Sequence, residues 1–329
     1  MDIKYYDIGL NLFCRQFKHP DKVLQRAAEA GVACILTGSD PEENRMIDRY
    51  LKKCEGRISM DLLEKNSEKY GGHVPAKHVE KNLMKGEAQV LSGQISNDDL
   101  DMGGGISRSR PGFPVYGTAG LHPHNADRFM EAHISEVCRI YTENRNVVAI
   151  GECGLDYDRM FSTKQNQLKA LEKFVALAEE LSAPMFLHER DAAEDFVSVF
   201  KNVPKVAEHS VVHCFTGNRK TAEKYIEMGF SIGVTGWICD DRRADELREA
   251  AYVIPKDRIL VETDAPYLTP RNVPGLGRTN VPENIIYVVR TLAEYTHISE
   301  EELIRCAREN TERVFGLKEK NTQSVTVPD

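Results

Sequence analysis

The chain has 329 residues, 41% of them hydrophobic and 29% charged, ordinary proportions for a soluble globular protein with chain enough to bury a core. Its 43 Lys and Arg against 51 Asp and Glu give a net charge of −8, which excludes a polybasic, DNA-wrapping surface. Nucleic acid itself stays open, because carboxylates in a site can be offset by bound cations.

The N-terminal stretch MDIKYYDIGLNLF lacks the basic, apolar and cleavage regions of a secretory leader. Apolar runs such as VVAIG are far too short to cross a bilayer, so no membrane association is expected. The 8 cysteines form no CxxC pair. They read as reduced thiols of a cytoplasmic protein (nuclear, in a eukaryote), not as a disulfide framework.

In chain order, a first strand is predicted over Tyr5–Leu12. A helical pattern starts at Asp21, with Gly31 as its C-cap. A second strand, Ala33–Thr37, precedes a helix over about Pro41–Glu55. The segment 56–114 then breaks the rhythm. Its part SGQISNDDLDMGGGISRSRPGFP has loop or disorder composition, whereas SMDLLEKNSEKYGG admits a helix. Asn97–Gly103 resembles a calcium loop only slightly, because the glycine is misplaced and Arg108 holds the closing position. Strands follow over Val115–Leu121, Val147–Gly151, Pro184–His188, Val211–Phe215, Phe230–Val234 and Ile259–Glu262. Helical patterns start at Thr163 and at Asn218, the latter ending in Gly229. The tail 318–329 is polar and aperiodic.

Strands that alternate with helices imply parallel β/α units, closed into a barrel or doubly wound. Without 56–114 and the tail, about 258 residues remain, close to the ~250 of a TIM barrel. The expected architecture is therefore α/β, a (β/α)8 barrel forming one domain over 1–317, with an insertion between helix 2 and strand 3. A connection from helix to strand lies on the barrel face opposite the active site. The insertion thus reads as a tolerated surface loop, or else as a protein-contact surface. A monomer is the default expectation.

No GxSxG, P-loop, GxGxxG or HExxH occurs. Instead, four apolar runs end in residues that ligate metals: VVAIGECGLD in Glu152, PMFLHERD in His188, VVHCFTG in His213 and ILVETDAPYL in Asp264. In a parallel barrel all four can face one mouth. Four buried polar groups are costly unless paired or bound to metal. Two imidazoles with two carboxylates suit Zn, Mn, Fe or Co, or Mg where oxygens dominate. Glu152 could bridge two ions, the arrangement that acidifies a water and stabilises a leaving oxyanion. Asp264 fits as ligand or as the base orienting that water.

These segments closely resemble the TatD family of metal-dependent deoxyribonucleases. The matching motifs are DIGLNL (Asp7–Leu12), GLHPH (Gly120–His124), AIGECGLD (Ala149–Asp156), MFLHERD (Met185–Asp191), HCFTG (His213–Gly217), VTGW (Val234–Trp237) and ETDAPYL (Glu262–Leu268). The resemblance implies a metallo-dependent hydrolase barrel that cleaves DNA, often from the 3′ end of single strands, with two divalent ions (Mg, Mn or Zn). It implies that Glu152 is shared by both ions, that His188 and His213 hold one, and that Asp264 holds the other. By the same resemblance, His122 stands near the scissile phosphate and Arg190 binds phosphate, a task suited to a guanidinium. His124, following Pro123, reads as a helix cap. Many relatives carry an HxH pair on the first strand where this chain has Gly9 and Asn11, which leaves one ion with fewer protein ligands. Asn11 can still offer an amide oxygen or touch substrate. Glu189 stands where relatives carry Cys or a small residue, and Glu283 lies in the segment Asn280–Glu283 that resembles the family's NEP motif.

Single-strand recognition needs stacking platforms and a basic track. Candidates are Trp237, the sole tryptophan, with Phe215, Tyr267, Arg190, Arg271 and Arg278. Two competing functions share the barrel: hydrolysis of a small amide, ester or aminoacyl-tRNA, and non-catalytic DNA binding. Amidohydrolase relatives often bridge their metals with a carboxylated Lys where Glu152 stands, which favours the nuclease.

Overall fold

The computed structural model describes residues 2–70 and 113–317, with side chains assigned outside 56–70. The predicted calcium-like stretch, most of the insertion and the tail lie outside these residues. Among the described residues no helix is long and apolar enough to cross a membrane.

Eight parallel strands follow one another in sequence order: β1 Tyr5–Leu10, β2 Val32–Leu36, β3 Val115–Ala119, β4 Val147–Asp156, β5 Met185–Arg190, β6 Val211–His213, β7 Ser231–Val234 and β8 Ile259–Val261. A bridge between Leu10 and Ala265 brings the last strand's exit to the first. The (β/α)8 barrel expected from strand spacing is the architecture found. The helices are α1 Pro20–Glu29, α2 Pro41–Tyr70, α3 Glu131–Glu143, α4 Lys164–Leu181, α5 Ala193–Phe200, α6 Pro204–Glu208, α7 Arg219–Glu227, α8 Asp245–Ala251, α9 Ile285–Thr296 and α10 Glu300–Val314. Gly31 and Gly229 follow α1 and α7 at positive φ, as expected of helix ends. Residues 1–52 and 113–329 group into one compact unit and 53–112 into another.

Alternation along the strands separates two apolar layers. Tyr6, Ile8, Ile35, Tyr116, Val148, Phe186 and Leu260 form the inner layer, joined by Val314 at the end of the last helix and by Phe315 and Leu317 beyond it. Leu10, Leu36, Ile150, Met185 and Leu187 belong to the outer layer with helix residues such as Leu171, Phe174 and Leu292. Burying each such side chain contributes about 1.5–3 kcal/mol.

The predicted boundaries differ in two informative places. β4 does not stop at Gly151 but continues to Asp156, because its backbone keeps pairing with β5 out to Arg190. The second helix does not stop near Glu55 but runs on to Tyr70, so the part of the insertion that admitted a helix continues α2.

Candidate metal centre

Three adjacent strands and one loop deliver side chains to a single point at the C-terminal mouth of the barrel. Glu152 lies within β4, His188 within β5, and His213 ends β6. His122 stands just beyond β3, where its N–H donates to the Ser39 carbonyl (2.8 Å). Glu152 Oε1 is 2.8 Å from His213 Nε2 and 3.2 Å from both His122 Nε2 and His188 Nδ1. The ligand atoms of His122, Glu152 and His188 lie within 4.8 Å of one another, a spacing that could hold a metal ion. Phe186 of the inner layer stacks on the His213 ring at 4.3 Å and forms the apolar floor of the cluster.

The local sequence explains the geometry of β4. Gly154 has φ +154°, and a Cβ there would stand 1.8 Å from the His188 carbonyl oxygen. Only glycine lets β4 lie this close to β5 beside the ligands.

Burial alone would raise the Glu152 pKa, but the surrounding His122, His213 and His188 hold it well below the usual range. The group is an ionised carboxylate. Burial would lower His213, yet Glu152 and Glu262 push it well above its ordinary value. For His122 burial prevails and its pKa falls. For His188 burial is outweighed by Asp156 and Glu152, and its pKa rises. His188 Nε2 is buried and lacks a hydrogen bond, although Asp156 Oδ2 is 3.3 Å away. Convergent imidazoles on one carboxylate oxygen, with such an unsatisfied ring nitrogen, fit a divalent ion with mixed N/O ligation.

Of the four ligands expected from sequence, Glu152, His188 and His213 meet, and His122 joins them. Asp264 lies close enough to feel the charges of His213 and Glu152, but its hydrogen bond goes to Asn11 and not to the imidazoles. It sits at φ +52° on the turn after β8, and Asn11 Nδ2 donates to its Oδ1 at 2.8 Å. Burial pushes its carboxyl up to about 7 against the pull of His213. Asn11 also donates to the Ala265 carbonyl (3.4 Å), so it ties β1 to this turn.

Other residues take places that their motifs did not disclose. The cap of the short helix Pro123–Arg128 is His122, whose Nδ1 accepts from the His124 N–H (3.1 Å), and not His124. His124 Nε2 instead lies 2.7 Å from Asp156 Oδ2. Arg190 approaches Asp158 (3.6 Å) and the Trp237 ring (4.9 Å). Trp237 also carries Arg243 at 3.6 Å. Phe215 is 1% exposed and belongs to the core, so it cannot stack a base. Glu189 accepts from the Ala192 N–H and the Tyr225 hydroxyl (both 2.7 Å), holding the turn after Arg190. Glu283 pairs with Arg26 on α1 (2.7 Å). A cleft of about 440 Å³ opens beside Arg190, lined by Tyr157, Lys164, Asp195 and Asn218.

Sequence reasoning missed Asp156 and Glu262. Asp156 accepts from the N–H groups of Asp158 (3.1 Å) and Arg159 (2.8 Å) besides facing His124 and His188. Glu262 Oε2 lies 3.3 Å from His213 Nδ1, and its Oε1 accepts from the Cys214 N–H. Both sit inside quoted motifs, and the available signal was an acidic residue closing an apolar strand. Glu262 also accounts for Gly9, where a Cβ would come within 2.5 Å of Glu262 Oε2.

A family model for TatD related DNase matches residues 78–316. A relative from Pantoea vagans, named 3′-5′ ssDNA/RNA exonuclease TatD, is 43% identical over 317 residues, covering 95% of this chain and 99% of its own. One of the same name from Erwinia amylovora is 35% identical over 316 residues, covering 95% and 100%. Among solved structures, a TatD homologue from Escherichia coli superimposes with TM-score 0.70 at 23% identity, covering 96% of this chain and 99% of its own. A TatD family hydrolase from Entamoeba histolytica gives 0.68 at 24%, covering 96% and 99%; both establish the barrel. Together, the family match over most of the chain and the full-length relatives show that this chain belongs to the TatD related DNase family.

Proposed function

We propose that the protein is a metal-dependent nuclease that hydrolyses phosphodiester bonds of single-stranded DNA, working from the 3′ end. The observation that carries this reading is the convergence of three imidazoles within 3.2 Å of the ionised Glu152 carboxylate. The names of the relatives support the substrate and the polarity, and extend the substrate to RNA.

In this reading Glu152, His188 and His213 would hold one divalent ion and Glu152 and Asp264 a second, while His122, whose Nδ1 accepts from the His124 N–H, keeps its proton on Nε2 and offers it to the phosphate. Ions bound there supply Lewis-acid charge for the phosphate and lower the pKa of the attacking water. The chain's own groups do the rest. Asp264, fixed by Asn11, orients the water. Arg190 binds a non-scissile phosphate, and the cleft beside it has the volume of a nucleotide subsite. Trp237 fixes the direction of Arg190. The site works in the cytoplasm, on a monomer.

Labelled oligonucleotides test the reading. A 5′-labelled single strand with Mg, Mn or Zn is expected to shorten stepwise, and EDTA to stop it. An intact strand with every metal, from folded and metal-loaded protein, would overturn the nuclease and favour the small-substrate hydrolase.

Glu262 offers a second test. Its Oε1 accepts from the Cys214 N–H, so in Glu262→Gln the amide oxygen keeps that place and the NH2 faces His213 Nδ1. The ring must then accept at Nδ1 and carry its proton on Nε2, against any metal. Metal affinity measured by calorimetric titration is expected to fall about 10–100-fold, whereas unchanged affinity would remove His213 from the ligand set.

A further inference from the structure

We infer that Phe161 is a stacking platform for the nucleobase beside the reacting phosphodiester, an inference that rests on the single-strand nuclease reading above. Phe161 is 66% exposed, a large apolar ring left in water on the loop between β4 and α4. The loop around it is tied down. Asp156 Oδ1 accepts from the N–H groups of Asp158 and Arg159 (3.1 and 2.8 Å). Ser162, next in the chain, is buried. Its hydroxyl donates to the His124 carbonyl (2.9 Å) and accepts from the Asp127 N–H (3.0 Å), and its carbonyl accepts from Gln167 Nε2 (2.8 Å). Between these anchors Met160 has φ +51°, an unfavourable conformation for a side chain of its size. An exposed phenyl and a strained neighbour thus coincide on a fixed loop, where neither serves the core.

The position supplies the reason. The Phe161 ring meets His124 edge to face at 4.7 Å, and His124 meets His122 at 4.1 Å. His122 Nε2 belongs to the group around Glu152. A ladder of rings therefore leads from solvent to the ligand cluster, and the outermost ring is open. Every base has a π-face, so an open aromatic ring on a rigid support binds single strands without reading sequence. The other aromatics of the mouth serve less well. Phe215 is in the core, and the Trp237 ring already carries Arg243 and Arg190. Tyr267, 50% exposed, rides the turn after β8, across the ring of strands from β4. A strand lying over the mouth would meet an aromatic ring on each side.

The test compares KM for a single-stranded oligonucleotide between wild type, F161A, F161L and F161W with the metal that supports cleavage. F161A and F161L are expected to raise KM about tenfold, within the range alanine substitution gives for base stacking. F161W is expected to stay near wild type, and metal titrations to match in all four proteins. A strand with abasic sites at its two 3′-terminal nucleotides should cost wild type the same factor and cost F161A nothing further. KM values of F161A and F161L within twofold of wild type would overturn the platform alone. Weakened metal binding in F161A would overturn it too, by making Phe161 a support for His124. If wild type leaves the base-bearing strand intact, the nuclease reading itself fails.

Discussion

Replacing Glu152 by Gln is expected to lower kcat/KM for single-stranded DNA about a thousandfold or more, a loss of roughly 4 kcal/mol in transition-state stabilisation. Among the described residues Glu152 is the one carboxylate that faces three imidazoles, at 2.8–3.2 Å from a single oxygen. Glutamine keeps the shape and removes the charge. A neutral amide is a poor ligand for a divalent ion, and it cannot bridge two. Its NH2 group, if turned toward the cluster, would compete with an ion for the imidazole lone pairs. The barrel itself should persist, since the strand pairing and both apolar layers are untouched. The check is steady-state cleavage beside circular dichroism and metal titration. Activity within tenfold of wild type, in a folded protein, would remove Glu152 from the centre of the site.

Gly154→Ala is expected to be the costliest single methyl in the barrel. The backbone there has φ +154°, and the new Cβ would lie 1.8 Å from the His188 carbonyl oxygen. Neither the torsion nor the contact can be relieved without moving β4 away from β5. A cost of about 3–5 kcal/mol follows from steric strain of this kind. For a protein of this size that lowers Tm by roughly 4–9 °C. The same displacement separates Glu152 from His188, so metal affinity should fall with stability. Gly277→Ala is the control: a Cβ there meets nothing within 4 Å, and Tm should hold within about 2 °C. Equal melting of the two variants would show that the approach of β4 to β5 is not constrained at Gly154.

Much of this was legible in the residues. Short β-branched runs spaced by amphipathic helices disclosed the eight units, because strand and helix periodicity are local properties. Glu152, His188 and His213 were legible because a ligand-type residue beyond an apolar run has few structural explanations, and parallel topology sends such positions to one mouth. The extent of β4 was not legible. Glu152 lies within a strand of ten residues, not at the end of one of five, and the continuation depends on hydrogen bonds to β5. His124 looked like a cap and faces Asp156. Phe215 looked like a platform and is core, because one residue of register decides which side of the barrel wall a side chain occupies.

The barrel, the segments that supply the site and the family can all be read from the order of residues. The strands, the ligand-type residues and the family motifs rest on patterns read within about ten residues, and the choice of a closed barrel on the length of chain they leave. Which donors converge depends on the folded barrel. His213 and Glu152 are 61 residues apart, His213 and Glu262 are 49 apart, and Asn11 and Asp264 are 253 apart. Such distances are set by strand register and by the closing of the barrel. Only there do Glu262 and Asp156 stand beside imidazoles, Gly9 make room for a carboxylate, and Phe161 stay in water next to the ligands.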